Sequence, residues 1–316
     1  MPIFNLHNHN EVATVPAGAV IVLGYFDGVH LGHRALFAEA KRLAASFATD
    51  DAGVPVCVWT FDQLPKVTTN ALTTTEERYS LFSECGIDYA IVESFENLKG
   101  FDGKEFFDIC IASNHSPAAV VCGFNFNFGK GRAYGANELK KMAEEKGIAC
   151  SVVPEYTENG QTVSSTRIRA LIESGNIEEA NRLLGSPYSI TSVIEHGVKI
   201  GRKMGVRTIN QRLPLSKVPP IHGVYCCTVT LYKDTSENTY GGICNIGSRP
   251  TVNDNKNDVT IETHIFDFDG EVYGKCATVK LYAMLREEKK FDDLDSLKEA
   301  IGKDLTKAKE LLKNIL

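Results

Sequence analysis

The chain has 316 residues, 43% of them apolar and 23% charged, with a formal net charge of −6. That make-up is ordinary for a soluble globular protein long enough to build two cores. The acidic balance excludes a global positive field drawing the chain to nucleic acid or an anionic membrane, and leaves open a small phosphorylated ligand, which needs only local positive charge.

The opening, MPIFNLHNHNEV, has neither the basic start nor the apolar run of a signal peptide or membrane anchor. His7 and His9 read as part of an exposed polar segment before the first strand. From Val20 to about Leu184, short apolar runs alternate with helical patterns. VIVL (20–23) leads to a helix near Arg34–Ala48, and VPVCVWTF (54–61) to one near Glu76–Glu84. IDYAIV (87–92) leads to GKEFFDICIAS, and AAVVCG (118–123) to a charged helix near Ala136–Lys146. ACSVVP then precedes SSTRIRALIES and IEEANRLL. Such alternation predicts a parallel sheet covered on both faces, binding its ligand beyond the carboxyl ends of the strands.

The rhythm changes at LLGSPYSI, where Gly185 suits a helix C-cap and Pro187 discourages continuation. Strand-like runs follow: ITSVIE, GVYCCTVTLY, TYGGICNI, VTIETHIF and ATVKLYAML. A final helical segment places Leu297, Ile301, Leu305, Ala308, Leu312 and Ile315 at three- or four-residue spacing, one apolar face for packing on a β structure. The expected architecture is an N-terminal α/β domain, residues 1–185, and a small antiparallel barrel closed by a helix, residues 186–316. Nine scattered cysteines without a C-x-x-C pair fit thiols of a reducing cytosol better than a disulfide framework, so the expected location is cytoplasmic.

Chemistry concentrates first in GYFDGVHLGH, Gly24 to His33, between the first apolar run and the first helix. A helix N-terminus offers unpaired N–H groups and partial positive charge to an anion. Gly28 and Gly32 let main chain approach closely, and His30 and His33 can donate to phosphate oxygens. SSTRIR (164–169) opens a later helix with hydroxyls and with arginines able to grip phosphate as a fork. Alone, each motif reads rather as a polar turn or a capped, solvated helix end; together they favour nucleotide binding, with fixed donors at an α-phosphate supplying the rate.

A second cluster is HGVKIGRKMGVRTINQ (196–211). Gly197, Gly201 and Gly205, with Lys199, Arg202 and Lys203 between them, make a loop able to wrap polyphosphate. It lacks Walker A spacing and by itself also reads as a solvated hairpin. Glu262, in the apolar run VTIETHIF, is costly to bury without a role, although strand alternation could equally place it on the solvent face.

GYFDGVHLGH, GFNFNFGKGR (123–132) and SSTRIR together resemble the adenylyltransferase domain of bacterial bifunctional riboflavin kinase/FAD synthetases, and the second half resembles their riboflavin kinase domain. The resemblance covers nearly the whole chain with its motifs in order. It implies a Rossmann-like nucleotidyltransferase followed by the barrel, and an enzyme making FMN from riboflavin and FAD from FMN, with ATP and Mg²⁺. Asp27, His30 and His33 would then embrace ATP phosphates, with Gly24, Phe26, Gly28, Ser165, Thr166 and Arg167 also at the nucleotide. Asn125 would contact nucleotide or FMN phosphate, and Phe61, Phe126 and Phe128 would line the flavin pocket, although alternate phenylalanines equally serve a core. In the barrel, Gly201, Arg202 and Gly205 would meet ATP. Thr208 and Asn210 would present hard oxygens to Mg²⁺, Glu262 would be the base on riboflavin's hydroxyl, and Arg286 would lie near the flavin. NIGSRP (245–250) matches a further signature.

Three departures stand out. Gln63-Leu64-Pro65 replaces the family's Pro-His-Pro turn, Asn125 stands where an aspartate is frequent, and Arg207 replaces a proline before Thr208. Arg207 motivates one alternative, an adenylyltransferase whose kinase half has decayed to a flavin holder; another is a flavin-binding regulatory protein. The partners implied are small flavins and ATP, not nucleic acid or membrane, and no motif sets an oligomeric state.

Overall fold

The computed structural model describes residues 1–6, 15–47, 53–63, 70–196, 207–233, 236–248 and 259–316. Two compact units emerge: Met1–Thr69 with Thr75–Ser164, and Asn70–Thr74 with Ser165–Leu316.

The first unit runs β1 (Ile3–Leu6), β2 (Val20–Leu23), α1 (Leu31–Ser46), β3 (Val56–Phe61), α2 (Thr75–Glu84), β4 (Tyr89–Glu93), α3 (Phe95–Leu98) and α4 (Gly103–Glu105), followed by β5 (Ala119–Gly123), β6 (Asn127–Phe128), β7 (Tyr134–Gly135), α5 (Ala136–Glu145), β8 (Ala149–Val153), β9 (Thr157–Glu158) and β10 (Gln161–Thr162). Six of its strands form a parallel sheet in the order β1-β4-β3-β2-β5-β8. β2 is central, so VIVL is buried at every position. Val20 and Val22 face a cluster with Phe37 and Phe82. Ile21 and Leu23 face another with Phe106, Phe107 and Leu139, as the two-residue strand period requires. From β2 the chain steps to β3 and β4 on one side, then returns to β5 and β8 on the other. The order therefore reverses between β2 and β5, and the crevice beyond their carboxyl ends is where such sheets take ligands.

Two expectations about this unit change. A strand, β1, precedes Val20 and pairs with β4 at the sheet edge; His7 and His9 lie outside the described residues. GKEFFDICIAS is not one regular helix: α4 runs into a π-helical stretch, Phe106–Ser113, that buries Phe106, Phe107, Cys110 and Ile111. The wider turn brings all four to the sheet.

The second unit comprises α6 (Ser165–Glu173), α7 (Ile177–Leu184), β11 (Tyr188–Val193), β12 (Ile209–Arg212), β13 (Gly223–Lys233), β14 (Ser236–Ser248), β15 (Val259–Ile265), β16 (Cys276–Glu287) and α8 (Leu294–Leu312). Gly185 ends α7 at φ 72°, the left-handed cap expected before Pro187. Asn181 of α7 ties the helix to the sheet, donating to the Leu281 carbonyl (2.8 Å) and accepting from the Tyr188 amide (2.7 Å). The strands form an antiparallel sheet, β11-β16-β13-β14-β15-β12. It curls until its edges meet: the Glu195 amide donates to the Asn210 carbonyl (2.7 Å), and Gln211 Nε2 donates to the carbonyls of Ser192 and Ala277, each at 2.9 Å. α8 covers the face carrying Val224, Cys226, Ile243 and Ala283. Its apolar face is shorter than the spacing predicts. Ala308 and Leu312 are buried and Leu305 packs beside them, whereas Ile315 is exposed, beyond the helix end. All nine cysteines are free thiols, six of them buried.

Candidate active sites

The turn after β2 is held in an unusual backbone path. Phe26 (φ 62°), Gly28 (φ 81°) and Val29 (φ 43°) all adopt positive φ. Glycine does so freely, but Phe26 and Val29 each cost about 1–3 kcal/mol, a strain typical of functional turns held by their surroundings. The Phe26 ring packs against His33, Phe37 and Phe82 at 5.1–5.9 Å. A Cβ on Gly24 would meet that ring at 2.7 Å, which accounts for the glycine. Phe26 is thus a core anchor, and its main chain is what faces the crevice.

The path delivers His30 as the N-cap of α1, its Nδ1 accepting from the His33 amide at 3.3 Å. The two imidazoles stack with centroids 3.6 Å apart. His33 is held well below the usual imidazole range, first by burial and then by His30. It is therefore neutral at pH 7, and its Nδ1 has no partner. Gly32 lies beneath His30, where a Cβ would meet the ring at 3.1 Å. Asp27 is buried within the same turn. Two imidazoles and a helix N-terminus thereby converge on the crevice of the first sheet, a surface suited to phosphate.

Asn125 is exposed just past the end of β5, at the other side of the order reversal. Phe61, Phe126 and Phe128 belong to the core cluster: Phe61 meets Trp59 and Phe95 edge-on at 5.0 and 5.2 Å, and Phe126 stacks on Phe128 at 5.5 Å. Phe61 and Phe126 keep partial exposure, while Phe128 is 6% exposed. Of the loop after β3, Gln63 is described; Leu64 and Pro65 are not. In the second unit, Ser165 is the first residue of α6 and Thr166 is exposed. Arg167 makes a half-buried 3.1 Å ion pair with Glu179.

Sequence reasoning passed over Arg78. It is 1% exposed, yet its only signal is EER at the start of an amphipathic helix, which reads as a solvated face. Nη1 donates to the Tyr25 carbonyl (3.1 Å) and Nη2 to the Phe61 carbonyl (2.7 Å), tying the ends of β2 and β3 together.

In the barrel, strand register gathers the second site. Asn210 on β12 lies directly opposite Glu262 on β15, and Glu262 opposite Asn245 on β14. Asn245 pairs with Val224 of β13, which pairs with Arg286 of β16. Directly opposed residues share a face, so Asn210, Glu262, Asn245 and Arg286 stand in one row across five strands. Thr208 immediately precedes β12, two residues before Asn210. Glu262 is half-buried in this row and not on the open surface. Arg286 is fixed by Asp304 of α8 at 2.9 Å, an ion pair with a buried carboxylate. Arg207 pairs with Asp269. Gly201, Arg202 and Gly205, with Gly197, Lys199, Lys203 and the last two residues of NIGSRP, lie outside the described residues. No group of three His, Cys, Asp or Glu side chains suited to a metal occurs among the described residues.

A parallel sheet with paired histidines at its switch point, in one chain with a barrel carrying a half-buried glutamate between two asparagines, defines a two-domain class of nucleotide-dependent transferase. A profile of the FAD synthetase family matches residues 12–167, and one of the riboflavin kinase family matches residues 184–312. The chain is 33% identical to the bifunctional riboflavin kinase/FMN adenylyltransferase of Bacillus subtilis (strain 168), over 98% of this chain and 97% of that one. Its identity to the counterpart of Escherichia coli (strain K12) is 31%, over 96% and 95%. A crystal structure described as a macrolide-efflux protein from Streptococcus pneumoniae matches with a TM-score of 0.86 at 28% identity, covering 98% of this chain and 99% of that one. No helix among the described residues is long and apolar enough to cross a membrane. The chain belongs to the bifunctional riboflavin kinase/FMN adenylyltransferase family.

Proposed function

We propose that the chain makes both flavin nucleotides at two separate sites, phosphorylating riboflavin to FMN and adenylylating FMN to FAD. The stacked His30–His33 pair at the α1 N-terminus, present in the same chain as the Asn210–Glu262–Asn245 row, carries this reading.

In the N-terminal site an FMN phosphate oxygen attacks the α-phosphorus of ATP, and the bond to pyrophosphate breaks. The acceptor is already an oxyanion, so no protein nucleophile is needed. The α1 N-terminus and the imidazoles of His30 and His33 stabilise charge growing on the α-phosphate and the departing pyrophosphate. Gly24, Gly28 and the Phe26 main chain allow close approach, and Asn125 stands across the crevice. By motif, Ser165, Thr166 and Arg167 are assigned to adenylyl transfer, and the activities divide between residues 1–185 and 186–316. The exposed edges of Phe61 and Phe126 suit a flat flavin, with Phe128 as their buried support.

In the barrel Glu262 accepts the proton of riboflavin's terminal hydroxyl as that oxygen attacks the γ-phosphorus, and ADP leaves. Thr208 and Asn210 offer a hydroxyl and a carboxamide oxygen two residues apart, with no carboxylate cluster beside them among the described residues. That donor set fits Mg²⁺ bound mostly by ATP phosphates and water. When bound, Mg²⁺ neutralises phosphate charge and orients the leaving group. Arg286, immobilised by Asp304, is placed to meet the flavin or phosphate at the far end of the row. Free buried thiols fit a reducing cytoplasm, and flavins and ATP are the partners. Chromatography of products from riboflavin, ATP and Mg²⁺ tests the reading: FMN followed by FAD is expected, and FMN supplied without conversion to FAD and pyrophosphate would leave a flavin-binding protein instead.

A further inference from the structure

Arg78 places a guanidinium in the interior of the first unit, where desolvation is costly unless the hydrogen bonds are good. Those bonds go to main-chain carbonyls on two segments, Tyr25 after β2 and Phe61 at the end of β3. The guanidinium also lies 4.2 Å over the Tyr25 ring. Thr60 Oγ1 donates to the same Tyr25 carbonyl at 3.2 Å, so that oxygen is held by two side chains. A planar trans peptide points the next N–H opposite to the carbonyl; the Phe26 amide therefore faces away from Arg78. Phe26 is 2% exposed, and its N–H meets no acceptor among the described residues. Buried amides left this way are rare and call for a partner. Four residues later the same turn becomes the His30 cap of α1.

We propose that Arg78 is a positioning residue for adenylyl transfer: it locks the Tyr25–Phe26 peptide so that the Phe26 N–H joins the α1 N-terminus in binding ATP phosphate. The inference rests on assigning the nucleotide to this turn. Arginine suits the task because its rigid fork reaches two carbonyls at once, whereas lysine offers a point charge on a flexible stem. The bond is made before ATP arrives, so the donor is aimed without reorganisation during the reaction.

The test uses full-length R78K, T60V and H33A, measuring FMN adenylylation and riboflavin phosphorylation in the same preparations. R78K is expected to lower adenylylation kcat by about 10- to 100-fold, the scale of a misplaced transition-state donor, with a smaller change in KM for ATP and unchanged kinase activity. T60V, which removes the weaker donor to the same carbonyl, is expected to show a loss in the same direction but smaller. R78K retaining its adenylylation kcat, or losing both activities in parallel as a general folding defect would, overturns the proposal. Active H33A would remove the nucleotide assignment itself; inactive H33A beside unimpaired R78K would overturn the role of Arg78 alone.

Discussion

The imidazole planes of His30 and His33 are 16° from parallel, at a centroid separation of 3.6 Å. Two positive charges that close are unfavourable, and burial adds to the penalty on His33. His33 is therefore neutral, and a bound polyanion would favour uptake of a proton from solvent.

Proton uptake on ATP binding follows. Phosphate charge favours the imidazolium and raises the depressed pKa of His33. Calorimetric ATP titrations near pH 6.5, repeated in buffers of different ionisation enthalpy, should give a slope corresponding to net uptake. His33→Asn should reduce that slope; an unchanged slope would locate the proton elsewhere.

His33→Ala should reduce FMN adenylylation about 100-fold or more, the scale for loss of one preorganised donor. Phosphorylation of riboflavin should stay near its original rate, since that chemistry belongs to the barrel. Steady-state assays of the two half-reactions check this directly.

Glu262→Gln preserves shape and removes the base. Riboflavin phosphorylation should fall by about 10²- to 10⁴-fold, the usual contribution of a general base, while FAD formation from supplied FMN continues. A kinase rate close to wild type in this variant would return Glu262 to a structural role between Asn210 and Asn245.

Acid should weaken the first unit. Burial pushes His115 down to about 4, and its Nδ1 has no partner. The unfolded chain binds a proton below about pH 6.5 that the folded chain refuses, so stability falls as pH drops from about 6.5 towards 4. At pH 5 this residue alone accounts for about 2 kcal/mol. Denaturant melts of His115→Gln should show a flatter acid limb than wild type; an identical pH dependence would rule out His115 as its source.

Periodicity exposed much of this architecture. VIVL reads as a central strand because both faces of β2 are covered, and the even alternation of the second half foretells an antiparallel sheet. β1 is harder to see: four residues at a sheet edge, half of them exposed, give no period. Arg78 and Asp304 were hidden for a different reason. A charged residue on an amphipathic helix ordinarily faces water, and only tertiary contacts bring Arg78 to two carbonyls and Asp304 to Arg286. The resemblance implied that Asn210, Glu262 and NIGSRP belong to one site, but their register in one row was beyond local pattern, since strand order β12-β15-β14 is set by curling of the sheet. The histidine turn was legible as a motif, but the burial and stacking that keep His33 neutral depend on the path set by Phe26 and Val29.

Complementation tests the two-site account most directly. Purified His33→Ala and Glu262→Gln proteins, each alone with riboflavin, ATP and Mg²⁺, should accumulate FMN and unchanged riboflavin respectively. Mixed together they should produce FAD, because FMN released by one chain feeds the other; a mixture that yields no FAD while both proteins remain folded and each half-reaction persists would contradict the account.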